Sequence, residues 1–184
     1  MTAKTGKLTS TGEGFYLVSV PVTGDFTLTA RLSSVSALTY SNSLQYRVGL
    51  IAYDTTTSAT AANIFANVGI GTDATGTTSW IPAEAYRVTA GNTVGKGSTT
   101  STNSPIGYGV GVYLKLVRAG NVYTSYFAPI PTGGGAPVYE LVAAGVSLTN
   151  RTMTSTVNTM SVGLMMAPGA QSTVQFDEIT LTQP

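Results

Sequence analysis

The chain has 184 residues and a formal net charge of +1; 42% of its residues are hydrophobic and only 9% are charged. This length suits one domain, and an apolar, nearly neutral composition excludes intrinsic disorder. Cysteine and histidine are both missing, which excludes disulfides, Cys/His metal sites and nucleophiles activated by histidine.

The charge pattern also bears on partners. The nine Lys and Arg residues are scattered singly, so we expect no nucleic-acid partner. No run of about 18 apolar residues occurs, and we expect no membrane partner. The N-terminus carries Lys4 and Lys7 without an apolar stretch behind them, so no secretory signal is predicted in this sequence. Two alternatives follow: the protein is used without such export, or a signal was removed.

Alternation of apolar and polar residues predicts β-strands along the whole chain. In residues 26–32 every even-numbered position is apolar, and the same alternation recurs in residues 110–116 and 160–166. We expect the even-numbered residues of these three strands to line one shared core. Further strands are predicted at residues 15–20, 46–53, 64–71, 85–89, 122–127, 138–142 and 174–181. With no convincing helix, the pattern predicts an all-β fold, an antiparallel two-sheet β-sandwich.

Two local features stand out. Residues 116–123 read as a hairpin whose tight turn contains Gly120 and Asn121, residue types that tolerate positive φ. In the last predicted strand, Phe176 and Ile179 cannot share one face of a regular strand. We therefore predict a β-bulge near Asp177 or Glu178.

The segments between strands are polar and nearly uncharged at residues 54–62, 72–79 and 89–105, and rich in Gly and Pro at residues 129–137. Strand-type sequence flanks each of them, so they are predicted to be surface loops rather than linkers. The domain prediction is one β-sandwich over residues 1–184, with residues 1–12 as an N-terminal arm.

Five short motifs follow one another in the chain: GDFTLTARL (24–32), RVGLIAYD (47–54), VYLKLVRAGNVYTSYF (112–127), VGLMMAPG (162–169) and VQFDEITL (174–181). In this order they resemble the concanavalin A-like lectin/glucanase jelly-roll modules, in particular the non-catalytic modules appended to glycoside hydrolases and found in bacterial surface proteins. The resemblance implies a jelly roll and allows enzymes, lectins and structural domains alike. Tyr113 stands where those modules usually carry Trp.

Catalytic chemistry has few candidates. Glycoside hydrolysis needs two carboxyls about 5–9.5 Å apart, and of the eight acidic residues only Asp177 and Glu178 are sequence neighbours. Neighbours on a regular strand point to opposite faces. We predict no catalytic residues and expect that the protein is not an enzyme.

Metal and carbohydrate sites also have few candidate residues. Asp54, Asp73 and Asn63 could ligate calcium in loops, but no calcium-binding motif spaces them, so no metal site and no cofactor is predicted. The candidate carbohydrate-binding residues are Trp80, Tyr113 and Tyr123. The alternative is that these aromatic residues are semi-buried and structural.

The surface composition favours an assembly. The chain contains 31 Thr and 17 Ser, and a free monomer usually stays soluble through more surface charge than this. The first hypothesis is a non-catalytic structural component of an extracellular particle, such as a phage virion protein (a capsid decoration or tail-associated subunit). Its partners would be other subunits or copies of itself, and its location a virion or the extracellular space. The alternative is a carbohydrate-binding module of a secreted or surface protein, with surface glycans as partners.

Overall fold

The computed structural model describes residues 1–3, 7–8, 13–36, 47–54, 65–72, 79–87, 95–98, 106–107, 111–142, 159–167 and 171–184. Every regular element in these ranges is a β-strand, which confirms the predicted all-β class. Within the same ranges, no helix is long and apolar enough to cross a membrane.

Most of the strands form two large antiparallel sheets. In chain order they are β1 (Thr2–Ala3), β2 (Lys7–Leu8), β3 (Glu13–Gly14), β4 (Tyr16–Thr23), β5 (Phe26–Val35), β6 (Arg47–Tyr53), β7 (Phe65–Thr72), β8 (Ser79–Arg87), β9 (Gly95–Ser98), β10 (Ile106–Gly107), β11 (Val112–Ala119), β12 (Val122–Pro129), β13 (Glu140–Leu141), β14 (Thr159–Ala167) and β15 (Ser172–Thr182). Sheet A has the order β1-β15-β5-β11-β12-β13, and sheet B has the order β10-β8-β7-β6-β14-β4, with β9 added beside β8. β2 and β3 pair separately.

The hydrophobic core lies between the two sheets, so the predicted β-sandwich is confirmed. Side chains of one parity from both sheets meet there, because successive residues of a strand point to opposite faces. The predicted core-facing residues of β5, β11 and β14 that the structure describes are buried in this core: Phe26, Leu28, Ala30, Leu32, Val112, Leu114, Leu116, Met160, Val162, Leu164 and Met166. Val110, which belongs to the same prediction, lies outside the described residues.

The predicted hairpin joins β11 to β12 through a two-residue turn. Ala119 pairs with Val122, and Gly120 between them has φ of +59°. Positive φ at the first turn position suits the right-handed twist of the flanking strands. The backbone N–H of Gly120 also donates to Asp25 Oδ1 at 2.7 Å, which ties the turn to the start of β5.

The predicted bulge in the last strand is also present. The pairing of β15 with β5 shifts register between Asp177 and Thr180. Glu178 has φ of +50°, the left-handed region that residues other than glycine seldom adopt. The bulge changes which way the carboxylates of this strand point.

The first residues of the chain extend the edge of sheet A. The Met1 ammonium donates to the Val174 carbonyl at 2.7 Å, and the Val174 N–H donates to the Met1 carbonyl at 2.7 Å. The rest of the predicted arm, residues 1–12, is described only at residues 7–8. The predicted loops at residues 54–62, 72–79 and 89–105 lie largely outside the described residues, so the single-domain boundaries stay a prediction.

Candidate functional site

The three predicted carbohydrate-binding residues do not come together. Tyr113 lies on the outward side of sheet A, since its neighbours Val112 and Leu114 both face the core. The backbone of Trp80 lies in β8 opposite Ile106, and its side chain is outside the described part of the chain.

Tyr123 requires a correction. It is only 3% exposed, and its ring packs edge-on against Phe26 at a centroid distance of 6.2 Å. The two-residue turn places Tyr123 opposite Arg118, which shares the core-facing parity of Leu114 and Leu116. Burial raises the pKa of Tyr123 to about 12, and the residue is not positioned to contact a sugar.

Several charged and aromatic side chains lie together on the side of sheet A that faces away from the core. We call this surface the outer face; it carries Arg31, Tyr113, Lys115, Tyr126, Tyr139, Asp177 and Glu178. Tyr126 was not predicted, although it lies directly opposite Lys115 and the alternation of β12 would have placed it outward. Tyr139 lies within the predicted strand at residues 138–142, just before β13, but it was not singled out as a candidate.

An ion-paired cluster forms where the bulge meets β5 and β11. The Tyr113 hydroxyl donates to Glu178 Oε2 at 2.7 Å, and Arg31 Nη1 donates to Glu178 Oε1 at 3.2 Å. Arg31 Nε also lies 3.8 Å from Asp177 Oδ1. The two neighbouring acids therefore reach the same arginine, and the expectation that they face opposite ways was wrong because the bulge inserts an extra residue.

Hydrogen bonding sets the charge state of this cluster. The hydrogen bond from Tyr113 lowers the pKa of Glu178, and Arg31 adds to this effect. The same hydrogen bond raises the pKa of Tyr113. At neutral pH the carboxylate is therefore charged and the phenol is neutral, which fixes a donor, an acceptor and a cation side by side on the surface.

Beside this cluster, Lys115 lies between two tyrosine rings. Its Nζ is 4.7 Å from the centroid of Tyr126 and 4.4 Å from the centroid of Tyr139, both within the roughly 6 Å range of cation–π attraction. Burial raises the pKa of Tyr139, and the negative charge of Glu178 contributes. The Tyr–Lys–Tyr stack and the Glu178 cluster thus adjoin on one face.

A second group of polar residues belongs to sheet B and is buried. Arg47, Asn67 and Arg87 are each fully enclosed. Burial lowers the pKa of Arg47 to about 9, although the charge of Glu84 opposes this shift. Asn67 donates through Nδ2 to the Leu50 carbonyl at 2.6 Å. These side chains do not meet solvent, so the outer face of sheet A is the candidate site.

Of the three calcium candidates, the structure describes only Asp54. Asp54 is fully buried, and Asp73 and Asn63 lie outside the described residues. The described ranges contain no group of three metal-ligating side chains, and the predicted lack of a metal stays a prediction.

The sequence matches no protein-family model and no curated protein. Solved structures share the fold. The alginate lyase from Klebsiella pneumoniae aligns with a TM-score of 0.52 and 15% identity over 88% of this chain and 61% of the lyase. Xylan beta-1,4-xylosidase from Bacillus halodurans C-125 gives a TM-score of 0.52 and 14% identity over 86% of this chain and 28% of that one.

A third similar structure is the enzymatically active domain of tailspike protein 2 from bacteriophage CBA120. It aligns with a TM-score of 0.50 and 11% identity over 98% of this chain and 27% of that chain. The present chain thus spans less than two thirds of each of these three proteins. At such identities the likeness shows the fold alone, which is compatible with a jelly-roll sandwich.

These comparisons contradict the prediction that the protein is not an enzyme. Two of the three structures are named as enzymes and the third as an enzymatically active domain. The prediction rested on the lack of suitably spaced carboxylates and of nucleophiles activated by histidine, whereas one of these proteins is named a lyase. Known enzymes therefore share this fold.

Proposed function

We propose that the chain is a polysaccharide-directed β-sandwich that contacts its glycan through the outer face of sheet A. The observation that carries this proposal is the row of half-buried tyrosines, Tyr113, Tyr126 and Tyr139, interspersed with charged donors and acceptors. Aromatic rings provide apolar area and charged groups provide orientation, the combination that ligand sites use. The motif order and the named activities of the similar structures support a concanavalin A-like sandwich with this role.

The experiment is a binding measurement against a panel that includes alginate, xylan and bacterial capsular polysaccharides. Replacing Tyr126 or Tyr139 with Ala is expected to weaken binding about tenfold, by analogy with the loss of a stacked aromatic ring. Tyr16→Ala is the matched control, because Tyr16 is an exposed tyrosine of sheet B. Equal affinity of all three variants and the wild type would contradict the proposal.

Glycan cleavage is the second candidate function. Two observations on Glu178 favour it. Its carboxylate accepts a 2.7 Å hydrogen bond from Tyr113, and its backbone has a left-handed conformation. Strained residues of this kind cluster at active sites. The wild type would release new chain ends from a polysaccharide, and Tyr113→Phe would reduce the rate about 100-fold if the phenol takes part in proton transfer. Full activity of the Phe variant would exclude Tyr113 from that role.

We also propose that the protein works in a virion or extracellular particle with other protein subunits, or copies of itself, as partners. The low charge of the chain and the tailspike-like fold support this. Light scattering across a concentration series tests it, with a mass that is a multiple of the monomer as the expected result. A monomer at every concentration, with no binding to particle proteins, would contradict the proposal.

A further inference from the structure

We propose that Lys115, held between Tyr126 and Tyr139, binds the anionic group of an acidic polysaccharide, a carboxylate or a sulfate. The inference rests on the proposed function and names the class of glycan that the outer face prefers. It follows from which of the positively charged side chains on this face form ion pairs with acidic residues.

The two cations of the outer face differ in their partners. Arg31 is engaged by two acids, with Nη1 at 3.2 Å from Glu178 and Nε at 3.8 Å from Asp177. Lys115 makes no ion pair with any acid in the described part of the chain, and its close neighbours are the two tyrosine rings. The positive charge available to a ligand on this face is therefore that of Lys115.

The rings position this charge without neutralising it. Cation–π attraction acts through the ring faces, so N–H groups of the ammonium stay available to an oxyanion. A lysine has a flexible four-carbon stem, and contact with two rings restricts it before a ligand arrives. Restriction of this kind lowers the entropy cost of binding.

The surroundings also favour a ligand that combines a ring with a charge. The opposite positions on the neighbouring strands are Thr29 on β5 and Tyr126 on β12. A sugar ring can lie against a tyrosine while its acidic substituent meets Nζ. An ammonium is a point charge without the planar fork of a guanidinium, which accommodates carboxylate and sulfate alike.

The test uses three probes: alginate as a polyuronate, dextran sulfate as a sulfated glucan, and xylan as a largely neutral glycan. Lys115→Met keeps the length and apolar stem but removes the charge, and Lys115→Arg keeps the charge. We expect Lys115→Met to weaken binding of alginate or dextran sulfate about fivefold, the size of an exposed ion pair. Its binding should also depend less on salt. Lys115→Arg should stay near wild-type affinity, and xylan binding should be unchanged in both variants.

The outcomes separate the inference from the proposed function. A loss for alginate, for dextran sulfate or for both, with xylan binding unchanged, supports the inference. A loss for one of the two acidic glycans alone also identifies the anionic group. An equal loss for all three probes, or no loss for any, overturns the charge assignment while leaving the polysaccharide function intact. Absence of binding to every glycan by the wild type overturns the proposed function itself. Thermal unfolding of both variants checks that a loss of binding is not a loss of folding.

Discussion

Glu178 combines a left-handed backbone conformation with two side-chain partners on the outer face. Its φ of +50° places Cβ close to neighbouring backbone, a conformation that costs an L-residue about 1–2 kcal/mol. Hydrogen bonds to Tyr113 and Arg31 compensate part of that cost. We therefore expect Glu178 to contribute to ligand contact on the outer face rather than to the stability of β15.

Two substitutions separate the backbone strain from the side-chain contacts. Glu178→Ala and Glu178→Gly both remove the carboxylate, but only glycine adopts positive φ without a Cβ penalty. Glu178→Gly should therefore be more stable than Glu178→Ala by about 1 kcal/mol, measured by urea unfolding. Equal stability of the two variants would show that this position is not strained.

The hydrogen bond between Tyr113 and Glu178 predicts a pH dependence of stability. The folded-state pKa of Glu178 lies below its usual value of 4.5, so its contribution is present above that pH and is lost as the pH falls through the folded value. The pKa of Tyr113 is raised above 10, so its contribution is present below pH 10 and is lost at higher pH.

The variant Tyr113→Phe removes this hydrogen bond. Its unfolding free energy should be lower than that of the wild type at neutral pH, and the difference should shrink in acid and in strong base. Tyr16→Phe, on the other sheet, serves as the control with no such pattern. A difference that stays constant from acid to base would contradict the assigned hydrogen bond.

At the scale of elements, β14 approaches its partner strand very closely. A Cβ built on Gly163 would lie 2.0 Å from the carbonyl oxygen of Val18 in β4. Real Cβ atoms do not come this close, so a side chain here would force the two strands apart. Glycine at this position lets the edge strand of sheet B pack against its neighbour.

Gly163→Ala should therefore destabilise the protein by roughly 1–3 kcal/mol, the usual range for overpacking. Gly135→Ala is the matched control, because a Cβ there meets nothing within 4 Å. Chemical denaturation of both variants tests the difference. If Gly163→Ala were as stable as the control, the close approach of β4 and β14 would be incorrect.

At the scale of the whole molecule, one core connects both sheets. Leu114 of sheet A is fully buried in the cluster that also contains Leu50 of sheet B. Strands far apart in the chain pair with each other, as β5 does with β15. Neither sheet can bury its apolar side without the other, and the two are expected to unfold together.

Leu114→Asp should consequently abolish folding of the whole domain, since an unpaired buried charge costs several kcal/mol and total stability is only about 5–15 kcal/mol. Thr124→Asp, on the outward side of the same hairpin, should leave the protein folded. Circular dichroism and the sharpness of the thermal transition report the result. A folded Leu114→Asp variant would contradict the assigned core.

Local patterns in the sequence predicted the strand class, the core-facing residues, the hairpin turn and the bulge. These features depend on neighbouring residues: period-two alternation selects a face, glycine permits positive φ, and mismatched parity requires an inserted residue. Of the candidate site, Tyr113 was predicted, and Tyr123 was misplaced although the two-residue turn determines its parity.

The features that the sequence did not predict, namely the contacts within the candidate site, depend on which strands are neighbours in the sheet. Arg31 and Glu178 are 147 positions apart in the chain, and they meet because β15 pairs with β5. Lys115 contacts the rings of Tyr126 and Tyr139 because β12 pairs with β11 on one side and with β13 on the other. Strand order results from long-range packing of apolar faces, which no local pattern encodes. By itself the sequence determined which apolar residues the alternating strands bury, and the tertiary structure alone decided which exposed side chains form a site.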